Sequence, residues 1–105
     1  MMRMYSALEI SADHPSFAGH FPEFPVLPGA LLLDEMIQVI EQARGIDLMQ
    51  WHIAFAKFHD GVRPREPLVV EHDASAGLIR FTIRAASRKV ASGTLLPNQP
   101  GNRNP

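Results

Sequence analysis

Four residues of this chain have the types and spacing that acid–base chemistry uses: His20, Gly29, Asp34 and Gln38. His20 carries the one side chain whose charge changes near neutral pH, so it can take or give a proton there. Gly29 stands at the start of a helical pattern with no Ser, Thr, Asp or Asn just before it, so no usual side-chain cap is at hand. The first N–H groups of that helix are left for water or for a ligand oxygen. Without a Cβ, Gly29 allows such an oxygen to come close. Asp34 and Gln38 are four residues apart and stack on one helix face. Taken singly, each has a plainer reading. His20 is one of five histidines and suits a hydrogen-bonded loop, Asp34 suits a solvated helix face, and water can cap the helix.

The elements that must position these groups are legible in the same stretch. Pro22, Pro25 and Pro28 exclude helix and central strand from the loop that carries His20. Pro28 fits a first helical turn, where its missing N–H costs nothing. Apolar residues then recur at Leu32, Leu33, Met36, Ile37, Val39, Ile40 and Ala43, one wide stripe at helical period. Asp34, Glu35, Gln38, Glu41 and Gln42 take the other side. The pattern predicts a helix over about 29–44, with Gly45 as its C-terminal stop. A stripe this broad needs a sheet to lie on.

The run Gly19-His20-Phe21-Pro22, followed by Pro25-Val26, Pro28-Gly29, Leu31, Leu33-Asp34 and Gln38, resembles the active-site segment of the β-hydroxyacyl-acyl carrier protein dehydratases. The likeness is dense over residues 14–38. It continues weakly at Lys57-Phe58, Pro64 to Leu68 and Ser92-Gly93. It implies an α+β hot dog fold, an antiparallel sheet wrapped around one long central helix. It implies dehydration of a 3-hydroxyacyl thioester to a trans-2-enoyl thioester, as in fatty acid biosynthesis. His20 would be the base, its ring held by the backbone carbonyl near Val26. Gly29 would offer its N–H to the thioester carbonyl, Asp34 would be the acid, and Gln38 would support Asp34. The resemblance also implies a homodimer or higher even oligomer, with the histidine and the acid of each site from different subunits. No metal or other cofactor is implied, because the substrate rides on the phosphopantetheine of an acyl carrier protein or on coenzyme A. Glu23 stands where that family commonly has glycine.

The role of Asp34 has two readings. A helix N-terminus favours its charged form, whereas an acid must hold its proton, so burial in an apolar tunnel would have to win. Alternatively Asp34 stays charged and orients His20 or a water. Two other functions fit the fold: a thioesterase in which Asp34 activates water, and a non-catalytic subunit that binds an acyl group or carrier protein.

Composition bounds the rest. The chain has 105 residues, 46% hydrophobic and 20% charged, with formal net charge −1. This suits one globular domain over 1–96, with 97–105 lacking apolar period and expected to be a disordered tail. A core this small would gain from association with a second copy. No basic block or aromatic-basic stripe suggests nucleic acid. There is no cysteine, hence no disulfide or thiolate metal site. His14 and His20 have no third ligand at metal spacing. No apolar run approaches the ~20 residues of a membrane span, so a cytoplasmic location is the default. Arg63 and Arg65 could meet the acidic surface of a carrier protein or simply face solvent in a turn.

Period-two runs predict five strands: 4–12, 51–59, 68–73, 78–86 and 90–96. Trp51, Ile53 and Phe55 share one face of the second. Leu78, Arg80, Thr82 and Arg84 alternate with Ile79, Phe81 and Ile83 in the fourth. Short turns suggest an antiparallel meander for the four strands that follow the helix.

Overall fold

The computed structural model describes residues 2–11 and 27–99. The elements in chain order are β1 (Met2–Leu8), α1 (Gly29–Arg44), β2 (Trp51–Phe58), β3 (Leu68–Ser75), β4 (Leu78–Ala85) and β5 (Arg88–Pro97). All five strands form one antiparallel sheet in the order β1-β3-β4-β5-β2.

The helix has the expected bounds for the expected reasons. It starts after Pro28 and stops at Gly45, whose φ of 65° is the left-handed conformation glycine adopts freely. The N–H groups of Gly45 and Ile46 both return to the Glu41 carbonyl, at 2.8 and 3.2 Å. The Glu41 side chain accepts the Leu48 N–H at 2.8 Å and shapes the exit from the helix. Leu32, Leu33, Met36 and Ile40 are buried in one cluster with the inner faces of the strands. Burying side chains of this size is worth about 2 kcal/mol each, so packing rather than intrinsic propensity holds the helix on the sheet.

Period two places β4 as expected, and β3 runs two residues beyond its expected end at 73. Leu68, Val70 and His72 face inward on β3, as do Ile79, Phe81, Ile83 and Ala85 on β4. The turn between them uses Ala76 at φ 54° and Gly77 at φ 78°, the positive-φ pair that a tight hairpin needs.

Three expectations change. The strands after the helix are not one meander. Only β3, β4 and β5 are consecutive hairpins, whereas β2 lies on the far flank against β5. Residues 59–67, with Pro64 and Pro67, are too long for a tight hairpin and carry the chain across instead. Second, Phe55 does not share a face with Trp51 and Ile53. The register jumps from Ile53↔Leu95 to Phe55↔Thr94, so Ala54 is bulged out and the alternation reverses. Ala56 packs inward in its place, and Phe55 is exposed. Third, β1 ends at Leu8, although Ile10 beyond it is still buried. At the other terminus β5 runs on to Pro97, and Asn98 donates its N–H to Gln50 at 2.7 Å. Residues 100–105 of the expected tail lie outside the described residues.

Candidate active site

Of the groups expected to act together, the described residues contain Gly29, Asp34 and Gln38; His20 and Val26 lie outside them, as does the expected turn at residues 13–16. Gly29 opens α1, and no side chain among the described residues caps the helix. The first helical bonds run from Leu31 and Leu32, both to the Pro28 carbonyl at 3.1 Å. The N–H groups of Gly29 and Ala30 have no acceptor among the described residues. They therefore point the positive end of the helix dipole at whatever lies before it. Such donors, fixed in advance, can stabilise negative charge growing on a carbonyl oxygen.

Sequence reasoning missed the neighbour of these donors. A Cβ built on Gly29 would lie 2.7 Å from both Cε1 and Cζ of Phe58 and 3.2 Å from Cδ1. The room that the missing side chain leaves is thus taken by an aromatic ring at the end of β2. Its signal was present in the strand pattern, but only the strand order carries β2's end to the helix N-terminus. The chain beside the site is pinned as well: Leu27 donates its N–H to the Val62 carbonyl at 3.0 Å, and Arg65 donates its own to Ile10 at 3.0 Å. The connection 59–67 therefore borders the helix entrance.

Asp34 and Gln38 are both exposed, on the helix face turned away from the core. Neither makes a hydrogen bond or ion pair to another described residue. The structure thus brings Asp34 and Gln38 onto one face, downstream of a helix start whose first donors are unmatched among the described residues, and covers neither with its own sheet. Among the described residues no cluster of three metal-ligating side chains occurs.

The opposite end of α1 is built differently. His72 is fully buried between Ser6 and Arg44. Arg44 Nε can only donate, so at 2.9 Å it fixes His72 Nδ1 as acceptor. The ring proton then sits on Nε2, 2.9 Å from Ser6 Oγ. Burial first, and the Arg44 charge second, hold this imidazole below its ordinary pKa and keep it neutral. The cluster ties the last helical turn to β1 and β3, away from Gly29. A cleft of 650 Å³ beside His52, Leu96 and Asn98 also lies where Trp51 pairs with Pro97, at the other end of the β2–β5 ladder from Phe58.

Among the described residues, one helix laid on a five-stranded antiparallel sheet, its start beside a strand end and without a side-chain cap, defines a hot dog protein. Solved structures share that fold. The dehydratase heterocomplex ApeI:P from Xenorhabdus doucetiae superposes with TM-score 0.71 at 22% identity, over 92% of this chain and 88% of that one. The fluoroacetyl-CoA thioesterase FlK superposes with TM-score 0.63 at 13% identity, over 90% and 82%. The chain belongs to the ApeI-like family, described as ApeI dehydratase, which its residues 2–94 match. Among curated relatives, the 3-hydroxyacyl-[acyl-carrier-protein] dehydratase FabZ of a Hydrogenobaculum species is 31% identical over 66% of this chain and 53% of its own length. That of Ruminiclostridium cellulolyticum is 28% identical over 80% and 66%. That of Thermotoga neapolitana is 35% identical over 66% and 53%. The chain thus spans about half the length of several curated relatives it matches. Among the described residues no helix is long and apolar enough to cross a membrane.

Proposed function

We propose that the chain dehydrates 3-hydroxyacyl thioesters as a homodimer with sites shared between its subunits. His20 removes a proton from the carbon beside the thioester carbonyl. The Gly29 N–H receives the negative charge that develops on the carbonyl oxygen. Asp34 gives a proton to the hydroxyl on the next carbon, and the C–O bond breaks. Water leaves and a trans-2-enoyl thioester remains, so one proton is taken, one is given, and no cofactor is consumed. Gln38 steadies Asp34, and the Val26 carbonyl orients the His20 ring. The expected cytoplasmic location belongs to the same reading.

One observation carries it. Asp34 and Gln38 face outward on a helix whose N-terminal donors have no acceptor among the described residues, so the remaining wall is expected from elsewhere. A second copy is the natural source, because β2 is an edge strand with Phe55 57% and Phe58 49% exposed. An apolar edge of this kind favours pairing with another strand. Sedimentation at micromolar concentration is expected to show a dimer or higher even oligomer, and a monomer would count against a shared site.

The deciding experiment is incubation with a 3-hydroxyacyl thioester of acyl carrier protein or coenzyme A, read by mass spectrometry and thiol titration. Enoyl product supports the proposal. Free thiol would make the protein a thioesterase, and an unchanged substrate that nevertheless binds would make it a binding subunit.

A further inference from the structure

A cleft at the end of α1 opposite Gly29 takes no part in the dehydration reading. It lies between the last helical turn, the start of β2 and the β3–β4 hairpin. Its volume is about 380 Å³, within the roughly 300–1,000 Å³ of small-molecule sites. Ile46, Trp51, Leu78 and Ile79 give it apolar walls, and its polar side chains are Arg44 and Ser75. No acidic side chain lines it among the described residues. The walls are set in advance. The Gly45 and Ile46 N–H groups return to the Glu41 carbonyl, the Leu48 N–H goes to the Glu41 carboxylate, and the Trp51 N–H goes to the Leu48 carbonyl at 3.0 Å. On the other side the hairpin is fixed by its positive-φ pair, Ala76 and Gly77.

The charge in the cleft is also fixed. Arg44 donates through Nε and Nη2 to His72, at 2.9 and 3.0 Å, and these bonds hold the guanidinium in place. The two acids of the same segment are turned to the backbone, Glu41 to the Leu48 N–H and Asp47 to the Met49 N–H, and neither lines the cleft. A helix C-terminus carries only about half a negative charge, which the full charge of Arg44 outweighs. The cleft therefore combines one cation and one hydroxyl with an apolar body.

We propose that this cleft binds a short aliphatic monocarboxylate, with its chain against Trp51 and Ile79 and its carboxylate toward Arg44. A guanidinium suits the planar carboxylate, whereas a nucleotide or polyphosphate asks for more cations than one. The 16 residues of α1 span about 24 Å, so within one chain the cleft is remote from the Gly29 N–H. The ligand is thus a regulator or passenger, not the reacting thioester, and the site does not depend on the dehydration reading.

The test uses the full chain and its own reporter, because Trp51 is the one tryptophan in the sequence. Its fluorescence is followed on titration with hexanoate, with acetate as a probe lacking the tail and 1-hexanol as a probe lacking the charge. The expected result is a saturable change with hexanoate, and binding at least tenfold weaker for each of the other two. Ile46 is 39% exposed, so Ile46→Glu places a like charge in the wall without opening the core. It should weaken hexanoate at least tenfold, and the uncharged Ile46→Ser should weaken it about threefold through lost apolar contact. Where a thermal melt shows Ile46→Glu unfolded, Ile46→Ser decides. No saturable change by about 10 mM hexanoate overturns the site. So does hexanoate that binds no better than acetate or hexanol, or equally in wild type and variants. Turnover of a 3-hydroxyacyl-N-acetylcysteamine should be unchanged in Ile46→Ser. A kcat/KM that falls in step with hexanoate binding would make the cleft part of the acyl channel and overturn a separate site. If the wild type turns over no thioester but the titrations behave as expected, the carboxylate site stands and the dehydration reading falls.

Discussion

Gly29→Ala separates the stability of the helix from the use made of its N-terminus. The added Cβ would lie 2.7 Å from two carbons of the Phe58 ring. An ordinary carbon–carbon contact is about 3.5–4.0 Å, so the overlap is about 1 Å. Phe58 is 49% exposed, and its ring can move outward. An off-rotamer side chain costs roughly 0.5–1.5 kcal/mol. Against this, alanine gains up to about 1 kcal/mol over glycine within a helix, and less in its first turn. The two terms nearly cancel, so the midpoint of thermal unfolding should move by no more than about 8 °C. Catalysis has no such offset. The methyl group would displace the Phe58 ring by about 1 Å beside the Gly29 N–H that the thioester oxygen is proposed to approach, and a displacement of that size can cost 10²-fold. The expected outcome is kcat at least about 100-fold lower with unfolding nearly unchanged, measured by a dehydration assay beside a thermal melt. A companion variant, Gly29→Ala/Phe58→Ala, removes the ring. If activity returns there, the displaced ring was the cause. If Gly29→Ala alone keeps the wild-type rate, the N–H of residue 29 does not polarise the substrate and the reasoning fails.

The remaining predictions follow from other parts of the fold. Asp34→Asn and His20→Ala should each lower kcat by about 10²–10⁴-fold with little change in binding, and mixing the two variants should restore part of the activity if each site takes one residue from each chain. Wild-type rates in both would remove the assignment. Gly93→Ala should destabilise the protein by about 1–3 kcal/mol or more in urea unfolding, because its Cβ would collide with the Phe55 backbone carbonyl and lie 2.7 Å from Cζ of the buried Phe81. A neutral result would mean that β2 and β5 are not this close at the bulge. Because burial lowers the folded-state pKa of His72 below the ordinary value of 6.5, the unfolded chain binds the proton more readily. The His72 contribution should therefore be complete above about pH 6.5 and decline as the pH falls through the lowered folded value. His72→Gln should flatten that part of the urea-midpoint profile relative to wild type, and parallel profiles would refute the role of this cluster.

What the sequence determined by itself is local. The helix over Gly29–Arg44 and its stop at Gly45 follow from a 3.6-residue apolar period, a proline at one end and a glycine at the other, all within one stretch of chain. The inward face of β4 follows from strict alternation. Gly29, Asp34 and Gln38 stood out because their spacing has meaning on a helix and because the segment resembles a known one. Tertiary structure decided what depends on residues distant in the chain. Which strand lies beside which was not written in the period, because the connection 59–67 can return beside its own strand or cross the sheet, and here it crosses. The face of Phe55 was lost for a related reason. A single bulged residue at Ala54 reverses every side chain after it, and the bulge forms only when β2 meets β5. The ring of Phe58 against Gly29 depends on both facts. Its place is set when β2 crosses to the far flank and its last residues meet the start of α1, two segments whose sequences carry no sign of each other.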